Sequence, residues 1–420
     1  MDIGWKLRKF AHIAGRIKAS IAIRGWRGTL RRGFLAYGRT EKGAITANLP
    51  VREPSSGHPL RRILVIDSVP PDPSRDSGSE RLCRIFAILN QDGWQIDFVA
   101  NDRKATTADI QRLAILGVRL HQEAIPGWLE REGGSLDAIM LCRLPIADHY
   151  FDLVRHAAPN AIILFDTVDL HFVRESRAAR LTGTPALLRQ ARRSQEREIA
   201  MVRRCDVTLV VSMDELRTLS QEVPNATIEL VSNIHDVHGR SQGFDGRRGA
   251  IFVGGFGHPP NEDAVRWFAN EILPRIRAVD PGFPLHIAGD IDASSQKELE
   301  SKGIIVHGRV ADLSPLHAKA LVSIAPLRFG AGVKGKVNLA MSHGLPVVVT
   351  RIAAEGMHLR HGVDALIADS PEDFASAIVG LGHDEMTWTG LSNAAMESVK
   401  QHFSAENARS ALRRALGTSP

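Results

Sequence analysis

With 420 residues, 44% of them hydrophobic, the chain has material for two or three domains, each large enough for a core of its own. No window approaches 18 consecutive apolar residues and the N-terminus lacks the apolar stretch of a secretory signal. This excludes a membrane span read from hydropathy and leads to the expectation of a soluble, cytoplasmic protein. Cys83, Cys142 and Cys205 are far apart and form no CxxC pair, so neither a disulfide framework nor a zinc site is expected, and no metal is assigned.

The net charge of +6 is unevenly placed. Residues 1–42 hold 11 Lys and Arg against Asp2 and Glu41, whereas the rest of the chain has 42 basic and 45 acidic residues. Trp5, Phe10, Ile17, Trp26 and Phe34 interleave with the basic residues, so residues 1–58 read as a basic amphipathic extension or linker. An anionic membrane surface, contacted through residues 1–42, is the partner this pattern suits, which would place the protein peripherally on the inner face of the cell membrane. A solvated arm is the alternative. Nucleic acid is not expected, because no stacking platform or recognisable module accompanies the charge.

Beyond Pro50 short β-rich runs alternate with helical patterns. Ile63 to Asp67, Ile96 to Ala100, Val118 to His121, Ala138 to Leu141, Ile162 to Val168, Val207 to Ser212 and Ile228 to Ser232 read as buried strands of one parallel sheet. The polar, glycine-rich stretch Asp236 to Gly249 reads as a linker. The alternation then restarts at Ala250 to Gly254, Leu285 to Gly289, Ile304 to Val306, Val322 to Ala325 and Pro346 to Thr350. The expected fold class is α/β: two Rossmann-like doubly wound domains, 59–238 and 250–402, joined by linker 239–249 and facing a cleft. Residues 403–420 form a last helix, capped by Ser404, and a tail.

Four loops carry the candidate chemistry. After the first strand, SVPPDPSRDSGSE leads into a helix; Ser77 and Glu80 suggest a capping box, and Gly78 marks a close backbone approach, so Ser77 and Gly78 are candidate cleft residues. At the end of the fifth strand, FDTVDLHFVRESR places Asp169 and His171 where an open α/β sheet presents catalytic groups. His171 is a candidate general base, oriented by Asp169; a buried histidine satisfied by backbone is the alternative. In FVGGFGHPPNED, Gly254 and Gly255 line a candidate ligand loop, with Asn261 as the expected N-cap before Glu262 and Asp263. Finally, IAPLRFGAGVKGKVNLAMSHGLPVVVT joins a strand to a glycine loop and a short helix. Gly330, Gly332 and Gly335 allow close approach of the backbone, helix-start amides point at an anion, and Lys334 and Lys336 supply charge. That combination suits a diphosphate. Arg328 is a third candidate cation, and two lysines two apart on a helix would reach one phosphate only from a frayed first turn.

From about Arg62 to Phe403 the chain resembles bacterial glycosyltransferases of the GT-B fold, in particular the family 4 or group 1 type that builds polysaccharides and lipopolysaccharide. The motifs are PPDPSRDSGSER, FDTVDLHFVRE, FVGGFGHPPNEDAV, HGRVADL, and PLRFGAGVKGKVNLAMSHGLPVVVT followed by AAEGM. The resemblance implies sugar transfer from a nucleotide-diphosphate donor, held by the C-terminal domain, to a saccharide or lipid-linked acceptor held by the N-terminal one. It implies a nucleotide-sugar co-substrate, no further cofactor and no obligatory metal. It also implies contact of Glu355 with the donor's ribose or sugar, and a late helix that crosses back to make a hinge. The chain departs from the family where two glutamates are common: Ala331 and Leu339 stand there. A catalytically inactive saccharide- or nucleotide-binding subunit is therefore the second expectation. A P-loop nucleotidase is a third, since Gly330, Gly335 and Lys336 fit GxxxxGK, but Val337 stands where magnesium needs a hydroxyl.

Overall fold

The computed structural model describes residues 61–418; the basic segment 1–42 lies outside the described residues. The N-terminal lobe alternates strands and helices in the order β1 (Arg62–Asp67), α1 (Ser77–Gln91), β2 (Gln95–Ala100), α2 (Thr107–Ile115), β3 (Val118–His121), α3 (Ile125–Glu132) and β4 (Ala138–Cys142). It continues through α4 (Leu144–Ala157), β5 (Ile162–Asp166), α5 (His171–Thr182), α6 (Pro185–Arg204), β6 (Val207–Val210), α7 (Met213–Glu222) and β7 (Ile228–Leu230). All seven strands are parallel, in the order β3-β2-β1-β4-β5-β6-β7.

The C-terminal lobe repeats the plan with β8 (Ala250–Val253), α8 (Pro259–Trp267), a π-turn (Phe268–Ile272), α9 (Leu273–Val279), β9 (Leu285–Ala288), α10 (Ala293–Ser301), β10 (Ile305–Gly308) and α11 (Ser314–Lys319). It is completed by β11 (Val322–Ala325), α12 (Gly335–Ser342), β12 (Val347–Val349), α13 (Arg351–Ala354), β13 (Leu366–Ile367), α14 (Pro371–Leu381), α15 (Glu385–His402) and α16 (Ala405–Ala415). The six strands, again parallel, run β10-β9-β8-β11-β12-β13. The expected doubly wound α/β fold is therefore present in both lobes. Strand β13, two residues long, was too short to show as an apolar run.

Burial follows from this layering. The central strands β1, β4, β5, β11 and β12 are almost wholly inaccessible, which is why they read as continuous apolar runs rather than alternating ones. One core fills the C-terminal lobe around Phe252, Phe268, Phe374 and Trp388. Two cores lie on the faces of the N-terminal sheet. One of these takes in Ala408, Ala411, Leu412, Ala415 and Leu416, so α16, from the far end of the chain, packs on the first lobe. Ser404 caps it by accepting from the Asn407 amide. The two chain crossings are tied where His235 N donates to Phe403 O at 2.8 Å.

Several local expectations are corrected. Helix α1 is capped by Asp76, which accepts from Ser79 N at 2.8 Å, and not by a Ser77–Glu80 box. Helix α8 starts two residues before Asn261, because Pro259 and Pro260 suit its first turn; Asn261 is helical and buried, and its amide donates to Gly255 O at 3.0 Å. Strand β5 stops at Asp166, since Val168 turns to φ 61°. The polar stretch before β8 is bound to the C-terminal lobe by Arg247, whose guanidinium donates to the carbonyls of Gly243, Gln242, His317 and Ala320.

Candidate active site in the cleft

In each sheet the strand order reverses direction once, between β1 and β4 and between β8 and β11. Loops diverge from the carboxyl ends of such strands and leave a crevice. On the C-terminal side the loops are Gly254–Gly255 after β8 and 326–334 after β11. At Gly254, with φ 151°, a methyl group would lie 2.6 Å from Asn261 Nδ2 and 2.9 Å from Lys336 Nζ. The absent side chain thus leaves room for an ammonium beside the main chain.

The two lysines do different things. Lys334 is the N-cap residue of α12 and is buried; its Nζ donates to Gly332 O at 2.6 Å. Lys336, half-buried in the first turn, donates to Asn261 Oδ1 at 2.5 Å and lies 4.1 Å from the Phe252 ring centroid. Burial pulls Lys336 down to about 7, with Lys334 adding to the effect. Burial also pulls Lys334 down to about 8, against the attraction of Glu355. The two ammonium groups therefore have separate partners rather than one shared seat in a frayed turn. Arg328 is matched by Asp263, its Nε donating at 2.9 Å, so the helix-start acid neutralises a cation instead of facing a ligand.

On the N-terminal side, Asp169 and His171 follow β5, with His171 Nε2 3.6 Å from Asp169 Oδ1. Arg174 pairs with Asp169. Burial works against the Asp169 charge, but Arg174 and His171 outweigh it and hold the carboxyl below its ordinary range. Arg143, at φ 74° just after β4, donates to Asp67 Oδ1 at 3.1 Å. Burial raises the pKa of Asp67, and Arg143 resists that rise. Gly78 admits both neighbours: a methyl group there would meet Val168 Cγ1 at 3.0 Å and an Arg143 nitrogen at 3.4 Å.

The walls meet at four points. Arg177 on α5 donates to Gly330 O at 2.7 Å and to Glu355 Oε1 at 2.6 Å. A methyl group at Gly335 would lie 2.6 Å from Ser77 Cβ, one at Gly332 would lie 3.2 Å from Asp169 Cβ, and one at Gly356 would lie 2.5 Å from Ser212 Cβ. Beside Glu355 a cavity of about 390 Å³ opens between Met213, Asp214 and Arg217 of one lobe and Arg351, Gly356 and His358 of the other. The fold thus brings Ser77, Asp169, Gly330, Gly332, Gly335 and Glu355 to one seam, with Lys336, Gly254 and Gly255 on the C-terminal wall. Arg328 stands apart, with Asp263.

Arg143 and two buried acids, Glu198 and Glu215, escaped the sequence reading. Glu198 had a visible signal: it falls on the buried stripe Leu187, Ala191, Ser194, Val202 of an otherwise arginine-rich helix. Arg143 had none, because a positive φ at a non-glycine residue is imposed by the loop. Among the described residues no group of three or more His, Cys, Asp or Glu side chains is placed to hold a metal ion, and no helix is long and apolar enough to cross a membrane.

Residues 247–384 match the family model described as glycosyl transferases group 1. A curated Klebsiella pneumoniae protein, described as an uncharacterized 44.6 kDa protein in the cps region, is 26% identical over 171 residues, 39% of this chain and 44% of that protein. The match thus spans less than half the length of that relative. Among solved structures, Anabaena HepE in complex with UDP superposes with a TM-score of 0.64 at 14% identity, covering 85% of this chain and all of that one. Sucrose-phosphate synthase from Thermosynechococcus elongatus gives 0.63 at 15% identity, over 84% of this chain and 98% of its own. The pneumococcal O-GlcNAc transferase GtfA, in complex with UDP and GlcNAc, gives 0.61 at 9% identity, over 86% and 99%. The chain therefore has the GT-B fold, and its C-terminal lobe carries the sequence pattern of the group 1 glycosyl transferases.

Proposed function

We propose that the chain is a glycosyltransferase that moves a sugar from a nucleoside-diphosphate donor to a hydroxyl of a saccharide or lipid-linked acceptor in the synthesis of a cell-surface polysaccharide. The observation that carries this reading is the seat beside Gly254, where the Lys336 ammonium in the first turn of α12 lies against the glycine main chain and donates to Asn261 Oδ1. The group 1 match over this lobe, and the UDP bound in the HepE and GtfA structures, support a nucleotide-linked donor. The cps region named for the Klebsiella relative supports a polysaccharide product.

In this reading the bond from the anomeric carbon to the diphosphate breaks and its electrons leave on the diphosphate oxygen. Lys336, Lys334 and the amides at the start of α12 stabilise the charge that develops there. The acceptor oxygen bonds to the anomeric carbon and passes its proton to His171, which Asp169 orients. Glu355, released from Arg177, contacts the donor sugar or ribose. The acceptor enters along Ser77 and Gly78. We place the protein in the cytoplasm, with residues 1–42 as its contact with the inner face of the membrane.

A second reading, an inactive saccharide- or nucleotide-binding subunit of the same fold, is favoured by Ala331 and Leu339 standing where paired glutamates are common in the family. The nucleotidase reading lacks its hydroxyl, as Val337 is buried in the core. Thermal unfolding with UDP, GDP, dTDP, CMP and their sugar conjugates tests all three. A ligand at 100 times its dissociation constant adds about 2.7 kcal/mol, a shift of several degrees. A selective shift followed by donor turnover, lost in Lys334→Ala and Lys336→Ala, is the expected result. A shift without turnover of any donor would leave the binding subunit, and magnesium-dependent hydrolysis of ATP or GTP would leave the nucleotidase.

A further inference from the structure

The turn that carries Asp169 and His171 is strained at a residue that does not tolerate strain. Val168 sits at φ 61°, a left-handed conformation that a β-branched residue adopts only when its surroundings impose it. Upstream the chain is pinned by Thr167, whose amide and hydroxyl both donate to Leu209 O, at 3.1 and 3.0 Å. Downstream the helix α5 has no cap of its own, since its N-cap residue is Leu170.

Two carboxylates from other helices do that work. Glu198 of α6, fully buried, accepts from His171 N at 3.0 Å with one oxygen and from Phe172 N at 2.9 Å with the other. Glu215 of α7, 5% exposed, accepts from Leu170 N at 3.3 Å and from Val211 N at 3.1 Å. The donors are three successive amides after Asp169 and one from the residue just after β6, which lies beside β5 in the sheet. Around the two acids stand Asp169 and Arg174 of the turn and α5, and the charge of Lys334 in the other lobe acts on Glu215. Burial pushes Glu198 up to about 8 and Glu215 up to about 7, although the amides pull the other way. Acidic groups in so unfavourable a place cost stability unless their oxygens are hydrogen-bonded, and here all four oxygens accept main-chain amides.

We propose that Glu198 and Glu215 are positioning residues, which grip the main chain after Asp169 and hold the Val168–His171 turn in the strained form that presents Asp169 and His171 to the cleft. The grip itself stands on these contacts alone; its consequence for turnover rests on the glycosyl-transfer reading. A plain helix cap would need neither a second carboxylate nor a valine in the left-handed region. The turn is also where the C-terminal glycine loop docks, Gly332 lying against Asp169 Cβ. A shift of the turn would therefore displace the proposed base relative to the donor loop, while the contact between Lys336 and Asn261 on the far wall stays in place.

The test uses the full chain with Glu198→Gln and Glu215→Gln, which keep the side-chain size but place an NH2 against one of the two amides, together with Glu198→Ala. Hydrogen exchange of the segment 165–176 is expected to quicken about tenfold or more in each variant while the C-terminal lobe is unchanged. With whichever UDP- or GDP-sugar stabilises the wild type in thermal unfolding, kcat for nucleotide release is expected to fall roughly 10- to 100-fold and KM to stay within about threefold. The Gln variant should retain more activity than the Ala variant. Unchanged exchange in both Gln variants would overturn the grip, and faster exchange with wild-type kcat would overturn the positioning role. Should Glu198→Ala fail to fold, the two Gln variants still decide. A wild type that turns over no donor sinks the transfer reading instead, and the exchange measurement then decides the grip by itself.

Discussion

A lysine ammonium taken out of water beside a second ammonium releases its proton easily, even with a ring face and an asparagine oxygen to steady it. In the folded chain Lys336 is depressed to about 7. Unfolded, it would titrate near 10.4, so between those values the unfolded state binds more protons and stability rises with pH. Below about pH 7 the full cost of burying the charge is present; it fades as pH rises toward the unfolded value. A bound diphosphate reverses the balance, because it favours the ammonium. UDP binding is therefore expected to take up a proton above pH 7, to weaken several-fold from pH 7 to pH 9, and to lose that slope in Lys336→Met, which should bind about 10- to 100-fold more weakly throughout. Calorimetry in buffers of different ionisation enthalpy reads both effects. An affinity flat across this range in the wild type would show that Lys336 does not meet the phosphates. The composition of this seat was legible, because glycines and lysines around a strand–helix junction are local. The partners of the lysines were not: Asn261 is 75 residues from Lys336, and only folding places its oxygen there.

At the scale of the element, α12 and its glycine loop form one face of a seam. Gly335 lies against Ser77 of the other lobe, where a methyl group would come within 2.6 Å of Cβ. Two carbon atoms cannot approach so closely, and both sit on helix starts with little room to move, at α12 and α1. Gly335→Ala is thus expected to part the lobes while leaving each intact. Small-angle scattering should show a larger radius of gyration, kcat should fall about tenfold or more, and UDP should still raise the melting temperature. Wild-type scattering and turnover would show that the seam is not needed for reaction. The elements themselves were largely legible, since long apolar runs bounded by glycine and proline announced the strands. Their ends were not. Asp76 rather than Ser77 caps α1, and Pro259 rather than Asn261 opens α8, because several residues with capping chemistry stood within one turn and tertiary contacts chose among them.

For the whole molecule, the last helix decides cohesion. Leu412 of α16 and Leu416 just after it are buried among residues of α1 and the first sheet, and Arg413 and Arg414 pair with Asp92 and Glu229 at the rim. A pair as open to solvent as that of Arg414 contributes little, so the apolar stripe carries the docking. Leu412→Ala is expected to cost about 2–5 kcal/mol, read as a lower urea midpoint, whereas Arg414→Ala should cost under about 1 kcal/mol. Equal effects of the two would mean that charge, not burial, holds the helix.

The alternation of strands and helices, the restart at Ala250, the two glycine turns and the supply of cations beside them are legible residue by residue along the chain. These depend on periodicity and on single-residue conformational preference, which act over a few positions. Which groups face one another follows from the folded packing alone. Glu198 reaches back 27 residues to the His171 amide, and Arg177 reaches 153 residues ahead to Gly330. Such contacts depend on how two sheets twist and how far one lobe closes on the other, and no local pattern records either.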